Sequence, residues 1–132
     1  MRLIFVYNAD SGAINSILDG VHKIVSPETY NCKLCAITFG NFSEKQVWKE
    51  FRDTSGIEME FYHRDEFQKQ FRSKWLPKYD FPIILSAEKE NLDIFMTLEE
   101  LNEIEDVSEL IKVIREKVKA YANSNPRSNL NQ

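Results

Sequence analysis

Cysteine and histidine are scarce in this chain: only Cys32 and Cys35, and only His22 and His63, so any metal centre of these residue types draws on nearly all of them. Glycine and proline are scarce too, four of each, so the chain is not a glycine- or proline-rich low-complexity sequence. No apolar run approaches the roughly 20 residues that a membrane span requires, so no membrane partner is expected. Nor is there an excess of cations. The formal net charge of −4 argues against non-specific nucleic-acid binding, which needs a basic surface to displace counterions. The opening Met1-Arg2-Leu3-Ile4-Phe5-Val6-Tyr7 is too short in apolar residues for a signal peptide and meets polar Asn8 and Asp10 at once, so it reads as a first strand. That reading implies a cytoplasmic, reducing location. There the two cysteines are expected to be thiols, metal ligands or redox groups rather than a structural disulfide.

What is present is enough for one core: 132 residues, 42% of them hydrophobic, with nine phenylalanines. Strand and helix patterns alternate with short connections, which predicts α/β architecture with a central mixed sheet of about five strands flanked by helices. The expected strands cover 3–7, 33–39, 57–62, 83–86 and 92–96, the last two forming an antiparallel hairpin. A helix is expected after Asp10 or Ser11, with Ile14, Ile17, Leu18 and Val21 on its apolar face, ending at Ser26-Pro27. Ser43-Glu44-Lys45-Gln46 has the form of a capping box for a second helix whose face is Val47, Trp48 and Phe51. Further helices are expected over 65–75, from Thr97, and over 107–121. The polar stretch 123–132 lacks an apolar face and is expected to be a disordered tail behind a single domain over 1–122. The acidic residues Glu99, Glu100, Glu103, Glu105, Asp106 and Glu109 read as a solvated helix surface.

Taken together, that element order, with Phe81-Pro82 leading into the hairpin and a final helix, resembles the thioredoxin fold. The resemblance implies a cis bond before Pro82, facing the active site. At residue level, Phe5-Val6-Tyr7-Asn8-Ala9-Asp10-Ser11-Gly12, Ser26-Pro27-Glu28-Thr29-Tyr30-Asn31-Cys32-Lys33-Leu34-Cys35, Thr38-Phe39-Gly40 and His63-Arg64-Asp65-Glu66-Phe67 resemble a family of short, uncharacterised bacterial proteins. Some members carry a GTPase label. This sequence has no Gly-x-x-x-x-Gly-Lys-Ser/Thr loop to cradle phosphates, so the label lends no chemistry here.

Two candidate sites follow. The first is the edge of the sheet beyond the strand C-termini, where open α/β folds bind ligands. It gathers Asn8, Asp10, Ser11, Asn41, His63 and Arg64: helix N-termini for an anion, a cation, and an imidazole that titrates near neutral pH. Asp10, Ser11, Ser43 and Asp65 are also standard N-caps and Gly40 a standard turn residue, and capping is the favoured role for Asp10, Ser43 and Asp65. A small ligand or a partner peptide is the expected occupant, with no cofactor required and enzymatic activity left open. The second candidate is Cys32-x-x-Cys35, as a thiol–disulfide pair or, with His22, as a zinc site. With a strand at 33–39, the pair falls at the N-terminal edge of the sheet, away from any helix N-terminus. That placement disfavours redox work and leaves Cys35 as a small buried hydrophobe.

Overall fold

Leu3 to Tyr7 form five consecutive residues at most 5% exposed, and the rest of the architecture is arranged around them. In the computed structural model, which describes residues 1–8, 32–39, 44–71, 78–89 and 91–124, they belong to strand β1 (Arg2–Tyr7). The remaining elements are α1 (Lys33–Thr38), α2 (Gln46–Thr54), β2 (Glu58–His63), α3 (Arg64–Gln70), β3 (Ile83–Glu88), β4 (Asn91–Met96), α4 (Leu98–Asn102) and α5 (Val107–Ser124). The four strands are ordered β2-β1-β3-β4. β1 runs parallel to β2, from Arg2 opposite Glu58 to Tyr7 opposite His63. On its other side it runs antiparallel to β3, with Val6 opposite Ile83. The expected hairpin is present as β3 and β4, antiparallel, with a register irregularity at Ile84/Leu85.

Strand alternation then divides the core in two. Leu3, Phe5 and Tyr7 join Leu34, Cys35 and Ile37 of α1, Trp48 and Phe51 of α2, Leu101 of α4 and Leu110 and Ile114 of α5. Ile4 and Val6 join Ile83, Leu85 and Ala87 of β3 and Phe67 of α3 on the opposite face. Helices therefore cover both faces of the mixed sheet. The first cluster is centred on aromatic contacts: Phe5 stacks on Phe61 at 4.8 Å between centroids and meets Trp48 edge-on at 5.5 Å. Each fully buried side chain of this kind contributes roughly 1.5–3 kcal/mol of transfer free energy.

One expected element is overturned. Residues 33–39 do not form a strand: Lys33–Thr38 is helix α1, and the sheet among the described residues has four strands rather than about five. The buried positions Leu34, Cys35, Ile37 and Thr38 repeat at helical spacing, and Cys32 caps the helix through its sulfur. A run this short carries too few turns to separate a buried helix from a buried strand by periodicity.

A second expectation fails nearby. Helix α2 begins at Gln46 with Lys45 as N-cap, not at Ser43. Phe39 and Glu44 form an antiparallel bridge and the Lys45 N–H donates to Thr38 O at 2.8 Å, which holds Glu44 outside the helix. Within α2, Trp48 and Phe51 are buried as expected, whereas Val47 is 52% exposed. Gly56, at φ 76°, supplies the left-handed residue that turns the chain from α2 into β2. The final helix runs to Ser124, past the expected end, so the start of the expected tail is helical; 125–132 lie outside the described residues.

At the far end of the chain the Thr97/Glu100 capping box starts α4 as expected. Partial burial pushes the Glu100 carboxyl up, but the Lys117 ammonium at 2.9 Å and the Thr97 N–H outweigh it and hold it below its ordinary value. A carboxyl lowered by folding stabilises above its unfolded value and loses that contribution as pH falls through the folded one. The stability gap between wild type and Glu100→Gln is therefore expected to be full above pH 4.5 and to close in more acid solution, read by urea unfolding at several pH values. In the core, Ile114→Ala is expected to cost about 2–5 kcal/mol in the same assay, because Ile114 is fully buried against the β1 face.

Candidate functional site

Cys32 occupies the N-cap of α1 in an extended conformation, and its Sγ accepts from the Cys35 N–H at 3.2 Å. The same sulfur accepts from the backbone N–H of Asn8 at 3.3 Å. Asn8 directly follows the last residue of β1. The cysteine pair therefore lies at the C-terminal edge of β1, and its expected position at the N-terminal edge is corrected. That expectation depended on a strand over 33–39; with a helix there, Cys32 heads the element instead of trailing into the sheet. Cys32 and Cys35 are joined in a disulfide with Cα atoms 5.2 Å apart. Both are buried, 0% and 3% exposed.

The same edge carries the described members of the other candidate site. His63 ends β2 opposite Tyr7, and Arg64 opens α3 beside it. The Arg64 guanidinium donates to Asn8 Oδ1 at 3.2 Å. The Glu66 carboxylate accepts from the His63 N–H at 2.9 Å and contacts Nδ1 of its imidazole. His63 is thus the N-cap of α3, a role the sequence reading had given to Asp65. Pro82 is buried and precedes Ile83, the partner of Val6, which puts the cis Phe81-Pro82 bond at this edge as well. The described members of the two candidate sites thus share one location. Asp10, Ser11, His22 and Asn41 lie outside the described residues.

The chemistry available here follows from the sulfur's surroundings. Two N–H groups directed at Cys32 Sγ stabilise negative charge on it, so they favour the thiolate over the thiol once the disulfide opens. Burial acts in the other direction. A dithiol/disulfide couple is thus held in a pocket of opposing influences on its ionisation. In the disulfide state the sulfurs are bonded to each other and do not present two thiolates to zinc. Among the described residues no group of three His, Cys, Asp or Glu side chains is placed to hold a metal ion.

The same core cluster holds a buried polar group at the end of β1. Tyr7 is buried in the larger core and shares a hydrogen bond with the side chain of Thr38, itself fully buried and donating to Leu34 O at 2.7 Å. Arg52 approaches from α2, held by both oxygens of Glu44 at 2.8 and 3.1 Å. Within a continuous apolar run nothing marks Tyr7 as different from Phe5; only the fold brings Thr38 to it. Burial raises the Tyr7 phenol far above its ordinary value, and the hydrogen bond with Thr38 offsets only part of this.

No family model, curated protein or solved structure matches the chain.

A phenol raised by folding stabilises fully below its unfolded value and loses that contribution as pH rises above it. Wild type is therefore expected to lose stability more steeply than Tyr7→Phe above pH 10.0. Alkaline unfolding followed together with phenolate absorbance checks this. Equal slopes for the two proteins would remove the argument.

Proposed function

We propose that this protein is a thioredoxin-like thiol–disulfide exchange protein of the cytoplasm, acting through Cys32 and Cys35 on a partner held at the C-terminal edge of the sheet. The observation that carries the reading is Cys32 at the end of β1, capping α1, with the N–H groups of Asn8 and Cys35 both directed at its sulfur. The strand order β2-β1-β3-β4, with β1 and β2 parallel and Pro82 entering β3, supports the thioredoxin-like assignment. Within a reducing compartment, disulfides are mostly transient, catalytic or redox-sensing, which favours a working pair over a structural staple.

The reaction is balanced as follows. In the reduced protein the Cys32 thiolate attacks one sulfur of a partner disulfide. The partner's S–S bond breaks, one partner sulfur leaves as a thiolate and takes up a proton, and a Cys32–partner mixed disulfide forms. Cys35 then gives up its proton and its thiolate attacks Cys32 Sγ, releasing the second partner thiolate. Two electrons have passed to the partner, and Cys32 and Cys35 end as the disulfide. A dithiol reductant returns the pair to its starting state. Neighbouring Asn8, His63 and Arg64, with Asp10, Ser11 and Asn41 of the sequence candidates, are the residues assigned to hold the partner peptide.

Burial of both sulfurs favours one competing reading, in which the edge binds a small ligand or peptide and the disulfide does no exchange. Turnover with a disulfide-bonded protein substrate and a small dithiol reductant separates the two. Wild type is expected to accelerate substrate reduction, Cys32→Ser to fall to the rate of the dithiol alone, and Cys35→Ser to accumulate a mixed disulfide through Cys32. A wild-type rate no higher than that of the double serine variant would favour binding without exchange.

A further inference from the structure

Arg64 and Cys32 are 32 positions apart in the sequence, yet two consecutive hydrogen bonds join them through one residue. Arg64 Nη1 donates to Asn8 Oδ1 at 3.2 Å, and the backbone N–H of the same Asn8 donates to Cys32 Sγ at 3.3 Å. Asn8 lies past the last registered pair on either side of β1, Tyr7 with His63 and Val6 with Ile83. The ladders thus fix Tyr7 on β1 but do not by register fix the direction of the Asn8 N–H. Hydrogen bonds weaken steeply as the donor turns away, so that direction decides how much the sulfur gains. Arg64 is well placed to set it, because His63 sits level with Tyr7 and α3 begins one residue later, level with Asn8.

Resting on the thiol–disulfide reading, we propose that Arg64 is a positioning residue for Cys32: by gripping the Asn8 side chain, it aims the Asn8 N–H at the sulfur that carries the charge after reduction. In this role Arg64 acts through Asn8. A guanidinium suits the task because its planar fork holds an amide oxygen in a defined direction, which the point charge of a lysine does less well. The consequence is that the redox centre is joined to the start of α3, so a partner that engages Arg64 also alters the thiolate.

The test uses the reduced full chain carrying Cys35→Ser, which leaves Cys32 as the one thiol and keeps the position-35 N–H. Thiolate absorbance is followed against pH. Arg64→Ala and Asn8→Ala are each expected to raise the Cys32 midpoint by about one pH unit, roughly a tenfold loss of thiolate at a fixed lower pH. The double substitution is expected to do no more than either alone, because both act along one path. Arg64→Lys is expected to recover part of the shift. Thermal unfolding is recorded for each variant. Should Arg64→Ala fail to fold, Arg64→Gln and Asn8→Ala make the same comparison. An Arg64→Ala or Arg64→Gln midpoint equal to that of the parent overturns the proposal, as do shifts that simply add in the double variant. A parent protein whose Cys32 titrates near the free-thiol value of about 8.5, in a chain that shows no exchange, defeats the thiol–disulfide reading itself and is a different result.

Discussion

Everything about the site depends on β1 being buried on both faces and paired on both edges. Leu3 to Tyr7 leave no side of the strand to solvent, so its C-terminal end is fixed relative to β2, β3 and the helices above and below. Asn8 directly follows the last registered pair of β1. Its N–H is spent on Cys32 Sγ rather than on a strand neighbour, and its side-chain oxygen receives Arg64. The strand thus delivers one residue to a sulfur and a guanidinium at once. The same edge takes in the end of β2, the start of α3 and the proline before β3.

Much of this architecture was legible in the sequence, for identifiable reasons. β1 declared itself as an uninterrupted apolar run, and the hairpin as two apolar runs about a polar turn. Trp48 and Phe51 marked α2 by their spacing, and Thr97 with Glu100 marked α4 by its cap. The segment after Cys32 failed because Leu34-Cys35-Ala36-Ile37 is apolar at nearly every position, and six residues offer fewer than two turns in which a 3.6 period can differ from a buried strand. That single misreading moved the cysteines to the wrong edge. It also separated two candidate sites that the fold brings together. Asn8, His63 and Arg64 could be placed on one edge from the sequence because each falls at or just past the end of an apolar strand run. The Asn8–Cys32 contact and the Tyr7–Thr38 pair were not legible, since no local pattern reports a partner 24 or 31 residues away.

Two opposing influences meet at the cysteine pair. Burial disfavours the charged form of an acidic group, while hydrogen bonds to the charged form favour it. Two such donors act on Cys32 Sγ, which is fully buried. Burial and the two donors therefore act on one sulfur in opposite senses. A structural cross-link between residues three apart closes so short a loop that it would restrict the unfolded chain little.

The most direct measurement is a redox titration of the native protein in glutathione buffers, quenched with acid and alkylated, with the number of modified cysteines read by mass. Reversible, paired reduction of Cys32 and Cys35 without denaturant is expected, at a potential in the range of about −270 to −120 mV spanned by thiol–disulfide oxidoreductases. A bond that glutathione opens only after the chain is unfolded, or one lying below about −300 mV with the structural disulfides, would contradict it.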